Sequence, residues 1–183
     1  MKVDLSTYKN AEYQPGSPIK RLIWYYVNLL VFQSGWFPFY KPKTFLLKCF
    51  GAQIGKGVVI KPHVNIKYPW LLEIGNHVWI GEQVWIDNLA KVTIGDHVCL
   101  SQGALLLCGN HHYKKTSFNL MVQPILLEEG VWIGAQSTVC GGVTAHSHAV
   151  LTLGSVANTD LQPYAICSGN PAVKVRDRVI SAS

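Results

Sequence analysis

Two adjacent histidines stand in the stretch Cys108 to Lys115, CGNHHYKK, inside a chain that otherwise repeats itself. Imidazole changes charge near neutral pH, so it is the side chain best suited to take a proton from a hydroxyl about to attack an acyl group. A His-His pair in a polar loop is also what a merely solvated turn looks like. The surroundings of His111 and His112 therefore have to decide between chemistry and solvent.

What must position them is legible in the aliphatic residues. From Ile54 onward these recur every six positions: Ile54, Ile60 and Ile66; after a two-residue insertion Ile74, Ile80 and Ile86; after another Ile94, Leu100 and Leu106. Beyond an interruption come Leu127, Ile133, Val139, Ala145, Leu151 and Ala157. Of these 15 positions 13 are Ile, Leu or Val, a period that is neither helical nor a plain strand alternation. Glycine often follows, as at Gly55, Gly75, Gly81, Gly95 and Gly134, and a small or β-branched residue recurs four places on, as at Val58, Val78 and Ala104. One large and one small inward residue per unit cannot enclose a core alone, whereas short strands stacked about 4.8 Å apart can. The pattern predicts an all-β chain, a parallel β-helix with three hexads to a coil. The insertions at 66–74 and 86–94 would extend the same corner of successive coils. Between Leu106 and Leu127 the register lapses for longer, so residues 107–126 are expected to leave the coil as a protruding loop with the two histidines at its take-off.

The runs IGDHVCLSQGALLLCGNHHY, GVWIGAQSTVCGGVT and ICSGNPAVKVR resemble the hexapeptide-repeat acyltransferases. Within them the chain is most similar to the sugar O-acetyltransferase branch that includes the colanic acid biosynthesis acetyltransferase family, and the likeness runs through nearly the whole sequence. The resemblance implies a left-handed coil and a homotrimer with active sites between neighbouring subunits. It also implies transfer of an acetyl group from acetyl-CoA to a sugar hydroxyl in exopolysaccharide or glycolipid biosynthesis. Counted from the Ile94 hexad, His111 matches the family's general base. His112 stands where relatives often carry aspartate. Together with Tyr113 it is a candidate to contact the sugar or glycan acceptor, as are Asp87 and Asn88, which end a hexad one coil earlier. Their carboxylate and amide suit sugar hydroxyls, although both are also turn formers.

For the acyl donor, the matching family positions are Trp132, the backbones of Gly134, Ala135, Leu153 and Gly154, and the basic residues Lys174 and Arg176 for the phosphates. Asn158 and Thr159 complete the set at a point where relatives have Ser or Thr followed by Lys, so the phosphate contact there is expected to be weaker or made elsewhere. Cys108, close to His111, leaves open a covalent route or a packing role.

Length and composition bound the rest. The 183 residues suit one main domain with extensions: an N-terminal helical extension at 1–51, the β-helix at 52–162 and a C-terminal segment at 163–183. A formal charge of +6 invites an anionic partner, but there is no dense Lys/Arg run, so nucleic acid is not expected. The five cysteines lack any CxxC pair, which fits a reducing, cytoplasmic setting. Ser17, Pro18 and Gly35 frame a helix, and a second short one is expected near 44–50. The apolar first helix, flanked by Lys20 and Arg21 and followed by GWFPFYKPK, suits either peripheral contact with the inner face of a membrane or a cover over the coil. His77, His97 and His148 share the fourth hexad position and read as structural. With His77 and His112 supplying only two ligands of the three a zinc site needs, no metal is expected. A catalytically silent scaffold shares every fold signal with the enzyme, and a zinc lyase of the carbonic anhydrase type is the other rival.

Overall fold

The chain is described by a computed structural model for residues 2–181. Six-residue units wind into stacked triangular coils. The first coil holds β1 (Gln53–Ile54), β2 (Val59–Ile60) and β3 (Asn65–Ile66); the second β4 (Leu72–Ile74), β5 (Trp79–Ile80) and β6 (Trp85–Asp87); the third β7 (Val92–Ile94), β8 (Cys99–Leu100) and β9 (Leu105–Leu107). An antiparallel hairpin of β10 (Gly109–His111) and β11 (Leu120–Val122) follows. The coil then resumes with β12 (Ile125–Leu127), β13 (Trp132–Ile133), β14 (Thr138–Cys140), β15 (Thr144–Ala145), β16 (Val150–Leu151) and β17 (Val156–Ala157).

Every third strand pairs in parallel, giving three faces in the order β1-β4-β7-β12-β15, β2-β5-β8-β13-β16 and β3-β6-β9-β14-β17. The six-residue period is the ladder itself. Ile60, Ile80, Leu100, Ile133 and Leu151 are successive Cα partners on the second face, and Ile66, Ile86, Leu106, Val139 and Ala157 on the third. All of these are buried and stack into one core column with the small residues Val64, Val84 and Ala104. Both short insertions, and the hairpin, lie at the corner between the third face and the first.

Turn chemistry explains the fourth hexad position. His63, His77, Gln83, His97, Gln136, His148 and Tyr164 all have φ between 55° and 60°, and Gly57, Gly103, Gly130 and Gly154 occupy equivalent turns. The histidines sit where each corner turns through left-handed backbone, and the rings of His77 and His97 stack on successive coils with centroids 5.3 Å apart. Glycine after the aliphatic position has a different cause. A Cβ on Gly134 would lie 2.6 Å from the Leu153 amide nitrogen, so the next coil could not approach.

Helix α1 (Pro18–Val27) continues through a π turn at Asn28–Phe32. Pro18 opens it, but Ser17 makes no side-chain capping bond. It buries Trp24 and Phe32 against the first coil, with the Trp24 indole donating to the Ile66 carbonyl oxygen at 2.8 Å. Helix α2 (Tyr40–Cys49) begins earlier than the expected 44 and plugs the open end of the core with Leu47 and Lys43. Burial holds the Lys43 ammonium below its ordinary range; it donates to the Lys61 carbonyl oxygen at 3.1 Å. At the other end, β18 (Ala165–Gly169) adds a further rung to the second face and β19 (Ala172–Asp177) folds back antiparallel beside it. Residues after 162 thus continue the sheet.

Candidate active site

The expected loop at 107–126 is a two-stranded hairpin, with His111 paired to Leu120 across it. Its base is pressed onto the neighbouring corner, since a Cβ on Gly109 would meet Leu89 Cδ1 at 2.6 Å. At its far end Phe118 has a φ of 49° and lays its ring flat on the His111 ring, centroids 4.4 Å apart and 7° from parallel. The Phe118 carbonyl oxygen lies 2.9 Å from His111 Nδ1. A carbonyl can only accept, so Nδ1 carries the proton of the neutral ring and Nε2 keeps its lone pair. That is the tautomer and the nitrogen a general base requires.

His111 borders an open groove of about 380 Å³. Its other wall is the N-terminal strap. The Asp4 amide donates to the Thr116 carbonyl oxygen at 3.0 Å, the Tyr8 ring stands 5.9 Å from His111, and the Tyr13 hydroxyl donates to the Leu89 carbonyl oxygen at 2.6 Å. Arg21, Lys67 and Tyr68 line the same groove. None of these was expected at the site from sequence, Arg21 having been read only as a flank of the first helix. Tyr8, Tyr13 and Arg21 precede the repeat and have no periodic signal, and only the fold brings them about 100 residues along the chain to the hairpin.

The expected acceptor residues are placed differently. Asn88 is fully buried; its amide nitrogen donates to the Tyr68 carbonyl oxygen at 2.6 Å and its oxygen accepts from the Tyr68 amide at 3.0 Å. It pins two corners together, its amide engaged with the Tyr68 backbone rather than turned to the groove. Asp87 is also buried, and Lys67 Nζ pairs with its Oδ1 at 3.0 Å. It holds a groove lysine in place without lining the groove itself. His112 and Tyr113 lie outside that lining too, Tyr113 being 70% exposed on the hairpin. Cys108 is buried with its thiol 3.8 Å from the Ala90 carbonyl oxygen, and burial pushes its pKa up to about 11. A thiol buried there and kept protonated by its surroundings suits the packing role.

On the second face, Trp132, Gly134, Ala135, Leu153 and Arg176 converge on an apolar groove of about 590 Å³. The Trp132 indole donates to Ser101 Oγ at 2.9 Å, which fixes the ring as a wall. Arg178, unanticipated, joins Arg176 there and donates to the carbonyl oxygens of Gly130 and His148 at 2.9 and 3.2 Å. Lys174 does not. A bulge in β19 sets Arg176 opposite Ile166 but Lys174 opposite Cys167, and Lys174 pairs with Asp177 at 2.6 Å. One extra residue reverses the facing that strand alternation predicts. Gly154 is a positive-φ turn beside the groove, and Asn158 and Thr159 lie exposed at the next corner, outside the lining. A long apolar wall ending in guanidinium groups fits a pantetheine arm and phosphates. Among the described residues no group of three His, Cys, Asp or Glu is placed to hold a metal ion.

No family model matches the chain. It is 37% identical over 169 residues to the Escherichia coli K12 protein named "Putative colanic acid biosynthesis acetyltransferase WcaF", across 91% of this chain and 92% of that one. The chain belongs to the colanic acid biosynthesis acetyltransferase family. The fold of this acetyltransferase is also that of a hexapeptide-repeat acetyltransferase from Vibrio cholerae solved with acetyl coenzyme A, with a TM-score of 0.81 at 23% identity over 96% of this chain and 97% of that one. A galactoside acetyltransferase solved in complex with coenzyme A matches with a TM-score of 0.75 at 25% identity, over 87% and 81% of the two chains.

Proposed function

We propose that this acetyltransferase moves the acetyl group of acetyl-CoA onto a hydroxyl of a sugar or glycan in polysaccharide assembly, with His111 as general base. The observation that carries this reading is the bond from His111 Nδ1 to the Phe118 carbonyl oxygen, which leaves Nε2 as the acceptor nitrogen on the groove. In the reaction Nε2 accepts the hydroxyl proton as that oxygen bonds to the thioester carbonyl carbon. The C–S bond breaks, and His111 returns the proton to the departing sulfur, giving an acetyl ester and free coenzyme A. Coenzyme A binding is assigned to the groove of Trp132 and Arg176.

The two grooves share no lining residue. The donor groove lies at the second face and the corner beyond it, whereas the hairpin lies at the corner between the third face and the first. A donor in the one groove would meet a histidine beside the other if a neighbouring copy supplied it, which is the arrangement expected of a homotrimer with sites between subunits. Release of coenzyme A thiol from acetyl-CoA by purified trimer, dependent on added saccharide, tests the proposal. A folded trimer that binds acetyl-CoA and transfers to no saccharide hydroxyl would refute it and favour the silent scaffold.

A further inference from the structure

Helix α1 and its π turn bury one side against the coil and leave the other without a partner. At 100° per residue, Ile19, Leu22, Ile23, Tyr26, Leu29 and Leu30 fall on a single outward stripe. All six are exposed, from 42% at Leu29 to 71% at Ile19. A second exposed set adjoins it in sequence, Trp36 and Phe39 before α2 and Phe45 on its outer side between Lys41 and Lys48. Apolar residues here cannot be core residues, because the core side of both helices is already filled by Trp24, Phe32 and Leu47.

Charge identifies the occupant. From Tyr13 to Leu72 there is no Asp or Glu, while the helical layer carries Lys20 and Arg21 in α1 and the exposed Lys41 and Lys48 in α2. A second copy of the same face would bring these cations together, so self-association is opposed. No described helix is long and apolar enough to cross a membrane. An apolar stripe with exposed tryptophan and tyrosine, bordered by lysines and free of acids, matches the headgroup region of an anionic bilayer.

We propose that the N-terminal helical layer docks this acetyltransferase on an anionic membrane surface. The docked face reaches the acceptor side of the molecule. Tyr25 and Arg21 of α1 line a groove of about 460 Å³ with Trp85, and Arg21, Lys67 and Tyr68 also border the groove of His111. The two neighbouring grooves share these residues, so docking through the outward stripe of the same helix brings them toward the headgroups, which suits an acceptor saccharide carried on a lipid. The docking itself does not depend on the catalytic assignment of His111.

The test is sedimentation of the full-length protein with vesicles rich in phosphatidylglycerol and with vesicles of phosphatidylcholine alone, for wild type and for the double variant Ile23→Glu/Leu30→Glu. Both substitutions lie on the outward stripe. Wild type is expected to co-sediment with the anionic vesicles and to be released by salt, and the variant to lose at least about tenfold in partitioning. Light scattering should give both the same mass. Absence of wild-type binding to anionic vesicles, or undiminished binding by the variant, would overturn the proposal. So would a fall in mass of the variant, which would make the stripe a contact between subunits.

Discussion

His111 and Phe118 are held together twice, by a 2.9 Å contact from Nδ1 to the Phe118 carbonyl oxygen and by stacked rings 4.4 Å apart. Seven residues of hairpin thus close on the histidine and fix both its tautomer and its plane. If His111 is the proposed base, Phe118 is the residue that positions it.

Truncation of the Phe118 ring removes the stacking surface but not the carbonyl. Phe118→Ala is expected to lower kcat about tenfold, with the KM for acetyl-CoA unchanged, and Phe118→Tyr to restore it. Steady-state kinetics of the three proteins check this. A loss that appears in KM alone would show that the ring serves binding.

The groove of Trp132, proposed to hold acetyl-CoA, takes in one of two basic residues that lie two positions apart and not the other. Arg176→Ala is expected to weaken acetyl-CoA binding about tenfold, in line with the loss of a charge-assisted phosphate contact. Lys174→Ala, whose ammonium is held by Asp177 at 2.6 Å, should leave the Kd within about twofold of wild type. Calorimetric titration of both variants decides, and equal losses would contradict the bulged register of β19.

Cys108 supplies a prediction about the alkaline side. Burial lifts its thiol from 9.0 to about 11, so the unfolded chain loses this proton first and the folded chain retains it. Stability from this group is therefore complete below pH 9 and declines as pH rises from about 9 to about 11. Cys108→Ala should flatten that alkaline limb in thermal melts while keeping acetyl transfer. Loss of transfer in a folded Cys108→Ala protein would favour the covalent route.

Asp96 acts at the opposite end of the pH scale. It accepts from the Asn76 amide and side chain at 2.6 and 3.1 Å, and these bonds hold its carboxyl below the ordinary 3.8. The folded form is the weaker proton binder, so the contribution is present above the ordinary carboxylate range and is lost as pH falls through the lowered folded value. Asp96→Asn should melt at a lower temperature than wild type near neutral pH, and the gap should close in acid. A constant gap at every pH would assign the effect to shape alone.

The solenoid was legible because its period and its ladder are the same thing: Ile60, Ile80 and Leu100 lie 20 residues apart in sequence and one coil apart in space. The places of His111 at the start of the hairpin and of Trp132, Gly134 and Ala135 along one groove were legible for the same reason, being counted from that register. Placement that the register does not govern was not legible. Asn88 has the composition of an acceptor contact, but its corner turns it inward onto Tyr68. Lys174 and Arg176 share a parity that one bulged residue breaks. The strap of Tyr8 and Tyr13 owes its place to contacts with Thr116 and Leu89 that no local pattern announces.

The central claim is that Nε2 of His111 takes the acceptor proton, and single-turnover acetyl transfer by His111→Ala tests it most directly. With acetyl-CoA binding and mass in solution equal to wild type, the rate is expected to fall by about 10² to 10⁴. A folded His111→Ala protein that transfers acetyl at the wild-type rate would rule that role out.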